Sequence, residues 1–148
     1  MNKAVDNDII TPLQLAANLN NVETAMLLIK KGAKLDPPSD SPSASALALS
    51  VLHNETALVT ELLNRGAKVD FQNIGNDQLA TGDSALATAA KAGNVGMIRL
   101  LLERGANPSL KALDGYDALA LAKESHNAEA VELIQEALDK RRAKEKEL

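Results

Sequence analysis

Short apolar helix patterns alternate with polar breaks along this chain, and the pattern occurs four times. Each copy opens with Ser, Thr or Asp, then Ala or Pro, then Leu, and the copies begin at Thr11, Ser45, Ser84 and Asp117. A hydroxyl or carboxylate there accepts a backbone N–H of the first helical turn, so each copy predicts a helix start. In three copies a glycine follows 21 residues later, at Gly32, Gly66 and Gly105. These glycines predict left-handed ends to a second helix in each unit.

The turns between the paired helices are predicted by residue type. They fall on Asn20, Asn54, Gly93 and His126. Gly, Asn and His tolerate positive φ, so each position predicts a left-handed turn residue. In the third unit, Ile98 and Leu101 share one face of the second helix and Arg99 lies on the opposite face. Each unit is therefore a helix, a turn, a second helix and a projecting finger.

These registers resemble the ankyrin repeat, a unit of about 33 residues that carries Thr-Pro-Leu-His-x-Ala. The sequence Thr11-Pro12-Leu13-Gln14-Leu15-Ala16 comes nearest to that motif, and the resemblance covers roughly residues 10–138. It implies an all-α solenoid of four helix–turn–helix units with projecting β-hairpin or loop fingers. The expected organisation is one domain over 1–148, with repeats at 10–43, 44–82, 83–115 and 116–138 and a polar cap at 139–148.

The fourth position of the motif departs from the family. It is normally a His that ties adjacent repeats through loop hydrogen bonds, and here it is Gln14, Ala48, Ala87 and Ala120. Three repeats thus lack that network, which predicts a divergent array with less rigidly held fingers. Leu138 stands where the other repeats have their closing glycine, so the last helix is predicted to run on as a charged, solvated cap. A basic interaction tail is the alternative for that segment.

Repeat spacing singles out one finger. The intervals between helix starts are 34, 39 and 33 residues, and the surplus falls in residues 68–82. The finger displays Phe71 and Ile74, with a plausible turn at Gly75-Asn76. Lengthening a loop costs little entropy, so a tolerated insertion is one interpretation. Insertions in repeat proteins also often fall on the binding face, which is the other interpretation.

Candidate binding residues come from the long finger and from positions that face the concave groove in the ankyrin family. The groove positions include the residue before each helix cap and the exposed ends of the first helices. The resulting candidates are Phe71, Ile74, Asn76, Asp77, Asp83, Tyr116, Leu19, Leu52, His53 and Lys91. Apolar residues at such positions indicate a partly hydrophobic contact surface.

The composition of the chain limits the partners and activities that we expect. The net charge of −4 and pI near 5.2 argue against nucleic acid as the main partner, and no apolar run approaches the length of a membrane span. There is no cysteine, and the two histidines, His53 and His126, have no neighbours at metal-ligand spacing apart from a loose Glu129. We therefore expect no cofactor, no metal and no catalytic constellation.

The resulting functional expectation is a non-catalytic module that binds a protein partner through its concave face and fingers. An inhibitor or immunity-type protein would use the 68–82 finger to occlude a partner enzyme's active site, and the sequence favours this form. A passive adaptor or scaffold is the alternative, and an enzyme is the remote one. The chain is expected to be a monomer. It is expected in the cytoplasm, or in the periplasm or outside the cell if an export signal was removed from its start.

Overall fold

The computed structural model describes residues 10–38, 44–73 and 82–146, and these form a stack of four helix pairs. The helices are α1 Pro12–Asn18, α2 Val22–Lys30, α3 Ala46–Leu52, α4 Thr56–Asn64, α5 Ala85–Ala92, α6 Val95–Glu103, α7 Ala118–Glu124 and α8 Ala128–Lys146. Each repeat supplies one pair in chain order. The all-α solenoid predicted from the sequence is confirmed.

The predicted caps and turns form as expected. Each first helix is capped by the Ser, Thr or Asp side chain that precedes it, which accepts a backbone N–H three residues on. The residues with positive φ at the turns are Asn20, Asn54, Gly93 and His126. The second helices α2, α4 and α6 are followed by Gly32, Gly66 and Gly105 at φ of 87°, 95° and 89°. Since the fourth repeat has Leu138 in place of this glycine, α8 continues to Lys146.

Helices that hold the same place in neighbouring repeats pack against each other. The first helices pack in the order α1, α3, α5 and α7, while α2 packs on α4 and α6 packs on α8. Alanines such as Ala17, Ala89 and Ala122 are almost fully buried in this row. Because a methyl group is small, the helix axes approach closely, and Leu47, Leu86 and Ile98 fill the remaining space. The core is therefore aliphatic throughout.

Adjacent repeats are tied by other groups than the histidine of the family motif. Gln14 forms a capping box with Thr11, and its Nε2 donates to the carbonyl oxygen of Ala44 in the next repeat at 2.8 Å. Further along, the Asp36 carboxylate accepts the Lys68 N–H at 3.0 Å, and the Asp70 carboxylate accepts the Asn107 N–H at 2.8 Å. These bonds hold the fingers at the point where they leave the second helices.

The described parts of the fingers are turns and loops. In residues 10–38, 44–73 and 82–146, pairing of the strand type is limited to one antiparallel bridge between Lys111 and Asp117. This bridge closes a tight turn in which the Ala112 N–H donates to the carbonyl oxygen of Tyr116 at 2.9 Å. Of the two finger forms expected from the sequence, the loop form therefore prevails in the described residues.

The two ends of the stack present different surfaces. Leu15 and Leu27 are 47% and 55% exposed at the N-terminal end, whereas Leu121, the counterpart of Leu15 in the fourth repeat, is 4% exposed. At the other end, residues 139–146 of α8 are exposed and mostly charged. The predicted polar cap is thus present as a helical extension.

Candidate protein-binding surface

The C-terminal ends of the first helices, most of whose side chains are exposed, form a row, which we call the first-helix surface. It consists of residues seven and eight positions after each cap: Asn18, Leu19, Leu52, His53, Lys91, Ala92, Glu124 and Ser125. Leu19 and Leu52 are 67% and 62% exposed, the highest values among the large hydrophobic side chains of the described residues. Since α1, α3, α5 and α7 stack side by side, the row crosses all four repeats.

The composition of the first-helix surface changes along the array. Repeats one and two contribute the leucines, while repeats three and four contribute Lys91 and Glu124. When a partner covers leucine side chains that are exposed to this extent, their removal from water lowers the free energy of the complex. The surface therefore offers apolar contacts at one end and charged contacts at the other.

Three predicted site residues, His53, Lys91 and Asp83, already have partners within the chain. Nε2 of His53 donates to the carbonyl oxygen of Asn18 at 2.8 Å, so this half-buried side chain links the second repeat to the first. Lys91 forms an ion pair with Asp83, whose side chain is 12% exposed. Asp83 therefore positions the Lys91 ammonium group and offers little surface of its own.

The finger between the third and fourth repeats carries two further exposed apolar residues. Tyr116 is 44% exposed, and Leu113, which sequence reasoning did not identify, is 61% exposed. Phe71 in the preceding finger is half-buried. The signal that identifies Leu113 is an apolar residue immediately before the Asp114-Gly115 turn, where the array provides no cover.

The long finger is closed at its base by the residues on either side of 74–81. The buried Asn73 accepts the Gly82 N–H through its Oδ1 at 3.1 Å. Nε2 of Gln72 donates to the carbonyl oxygens of Gly82, at 2.9 Å, and of Lys111, at 2.8 Å. The chain thus leaves and re-enters the array at one place, and that place is bonded to the next finger.

Gly82 is required at this base by both its backbone and its surroundings. Its φ is +72°, and a Cβ added there would lie 2.8 Å from Cγ of Leu113. Three predicted contact residues of this finger, Ile74, Asn76 and Asp77, lie outside the described residues. Asn73 is buried and bonded to Gly82, so it belongs to the base of the finger, and a deletion that shortens the finger has to begin after it.

Over 10–38, 44–73 and 82–146, no cluster of three His, Cys, Asp or Glu side chains is arranged to hold a metal ion. No helix in these ranges is long and apolar enough to cross a membrane.

Comparison with known proteins supports the repeat architecture. A family model described as ankyrin repeats (3 copies) matches residues 1–73 and 71–143. The B-cell lymphoma 3 protein homolog of Mus musculus is 32% identical over 114 residues, which is 77% of this chain and 24% of that protein. The ankyrin repeat protein nuc-2 of Neurospora crassa is 27% identical over 169 residues, covering 95% of this chain and 16% of that protein. The chain thus spans about a quarter or less of these relatives.

Proposed function

Since the chain belongs to the ankyrin repeat family, we propose that it binds a protein partner along the first-helix surface. Ankyrin repeats imply a protein–protein interaction module, and the relatives in this family are generally non-catalytic. The observation that carries the proposal is the exposure of Leu19 and Leu52 on adjacent repeats. Two exposed leucines at the ends of neighbouring first helices offer more apolar surface to a partner than a single scattered leucine does.

The partner's chemistry follows from the change in composition along the row. An apolar anchor fits against Leu19 and Leu52, and polar or charged groups fit opposite Lys91 and Glu124. The bond between Asp83 and Lys91 fixes the direction of the lysine before the partner arrives. Tyr116 and Leu113 extend the contact toward the fingers, where an aromatic ring buries area at small entropic cost.

The test is affinity purification of the partner followed by binding measurements with surface variants. We expect Leu19→Glu and Leu52→Glu each to weaken the complex by about tenfold or more, because each places a carboxylate in an apolar contact. Leu27→Glu is the matched control, since this leucine is 55% exposed but lies on α2 at the end of the stack. Equal losses from all three variants would refute the first-helix surface as the binding site.

A finer form of the proposal makes the partner an enzyme whose active site is occluded by the 68–82 finger. Its support is the length of the finger and the bonded base at Gln72, Asn73 and Gly82, which gives the insertion a fixed origin. A passive adaptor would bind through the same surface and leave the partner's activity unchanged.

Deleting Ile74–Leu79 distinguishes the two forms, because it restores the 33-residue spacing and keeps Asn73 and Gly82 in place. For an inhibitor we expect the deletion to relieve inhibition while the thermal midpoint stays close to that of the parent. Unchanged binding, with no effect on partner activity from either protein, would favour the adaptor. Unfolding curves of the parent and the deletion variant provide the control for folding.

A further inference from the structure

One side chain joins the long finger to the finger between the third and fourth repeats, which we call the short finger, residues 106–116. Nε2 of Gln72 donates to the carbonyl oxygen of Gly82, where the long finger re-enters the array, at 2.9 Å. It also donates to the carbonyl oxygen of Lys111 in the short finger at 2.8 Å. A side-chain amide has two N–H groups, so these two bonds use both of them.

An apolar contact lies beside this bond. Gly82 is buried, and a Cβ added there would lie 2.8 Å from Cγ and 2.9 Å from the backbone nitrogen of Leu113. Both the backbone and the side chain of Leu113 therefore lie directly against Gly82. The residue is nevertheless 61% exposed. One side of Leu113 is held by the base of the long finger, and the other side is open to a partner.

The bonds inside the short finger fix its shape. The Ala112 N–H donates to the carbonyl oxygen of Tyr116 at 2.9 Å, and the Asp114 carboxylate accepts the Tyr116 N–H at 3.1 Å. Because these bonds join residues of the same finger, they do not determine where the finger lies on the array. The bond from Gln72 to Lys111 does determine it, since it comes from the preceding repeat.

We propose that Gln72 is a positioning residue, which sets the place of the short finger and so presents Leu113 and Tyr116 to the partner in one arrangement. This role rests on the function proposed above, in which both residues belong to the contact with a protein. Gln72 itself is half-buried and acts through the two exposed residues. Side chains that are ordered before binding spare the complex the entropic cost of ordering them.

Fluorescence of Tyr116 tests the positioning without a partner, because Tyr116 is the only tyrosine and the chain has no tryptophan. Gln72→Met keeps the length of the side chain and removes both donors. We expect the anisotropy of Tyr116 to fall and its quenching by acrylamide to rise, while the thermal midpoint changes by about 4 °C or less. Gln135→Met is the control, since this amide bonds the exposed Asp139 on α8. Unchanged anisotropy and quenching in Gln72→Met would overturn the proposal.

Gly82→Ala disturbs the same junction from the other side, because its methyl group forces Leu113 to move. Gly32→Ala is the matched control. The two glycines have φ of +72° and +87°, so both substitutions strain the backbone, but a Cβ at Gly32 would meet nothing within 4 Å. We expect Tyr116 anisotropy to fall in Gly82→Ala alone. An unchanged value in Gly82→Ala would show that the base of the long finger does not hold the short one.

Binding to the partner recovered by affinity purification separates this role from the function on which it rests. Gln72→Met should weaken the complex about tenfold, and it should have almost no further effect in a chain that already carries Leu113→Ala and Tyr116→Ala. Additive losses would overturn the positioning role and leave the proposed function standing. If Leu19→Glu and Leu52→Glu bind as tightly as the parent, the proposed function fails, and the fluorescence result still decides the positioning.

Discussion

The two ends of the array are built from the same repeat and present opposite surfaces to solvent. At the N-terminal end the half-exposed Leu15 and Leu27 lie where later repeats have a neighbour. At the C-terminal end α8 passes Leu138 and continues as a charged helix over 139–146. The difference teaches that the exposure of a repeat position depends on whether another repeat packs on it. Residue type alone does not set that exposure.

The largest expected change in stability comes from substituting leucines at the same position in the first and fourth repeats. Leu121→Ala should destabilise the fold by about 2–5 kcal/mol, because the side chain is 4% exposed and its removal leaves a cavity. Leu15→Ala should cost about 1 kcal/mol, since half of the side chain is already in water. Urea unfolding of the two variants measures both values. Similar losses would show that the N-terminal end is covered in solution.

A second test concerns the tie that only the first repeat boundary has. Gln14→Ala should cost about 1–3 kcal/mol, because it removes the acceptor of the Thr11 N–H and the donor to the Ala44 carbonyl in a buried setting. Gln135→Ala is the control, as its amide bonds the exposed Asp139, and we expect a change of about 0.5 kcal/mol or less. Thermal unfolding followed by circular dichroism measures the difference. No difference between the two would mean that the Gln14 bonds add nothing to the stability of this boundary.

Truncation after Leu138 tests the opposite end. The removed helix is exposed and charged, so we expect the unfolding free energy to change by less than about 1 kcal/mol while solubility falls. Unfolding midpoint and the concentration at which precipitation begins are the measurements. Global unfolding of the truncated chain would contradict the description of this segment as a solvated cap.

The smallest expected effect is at the ion pair between repeats three and four. Arg99 and Glu129 are 3.5 Å apart, with side chains 55% and 64% exposed, so solvent screens their attraction. Arg99→Ala should change stability by about 0.5 kcal/mol or less. Repeating the unfolding measurement at high salt is the control, because salt should remove whatever the exposed pair contributes and leave parent and variant equally stable. A loss above about 1 kcal/mol would mean that the rim charges contribute to stacking.

Local features of the fold could be predicted from the sequence because their causes are local. Asn20, Asn54 and His126 adopt positive φ, as their residue types and their places after the first helices indicated. The helix caps and the closing glycines follow from hydrogen bonding and backbone sterics within a few residues. The continuation of α8 beyond Leu138 was predicted for the same reason, since the residue that ends the other second helices is missing there.

The candidate surface could be predicted less fully from the sequence, because contacts between repeats determine which of its side chains are exposed. His53 and Asp83 sit at groove positions by register, yet each is engaged with a residue elsewhere in the chain. Leu113 was missed because its exposure depends on the finger's shape. The role of Asn73 was hidden likewise, since its bonding partner, Gly82, is nine positions away.

The bonded base of the long finger has a consequence for protein engineering. Asn73, Gln72 and Gly82 hold the two ends of the insertion together and fasten them to the neighbouring finger. The distance between α4 and α5 therefore does not depend on the sequence that joins residues 73 and 82. We expect foreign peptides of different lengths inserted at this position to leave the register of both flanking repeats unchanged, because closing a longer loop adds only about 0.6 kcal/mol for each doubling. The same position would accept length variation between natural variants of the array.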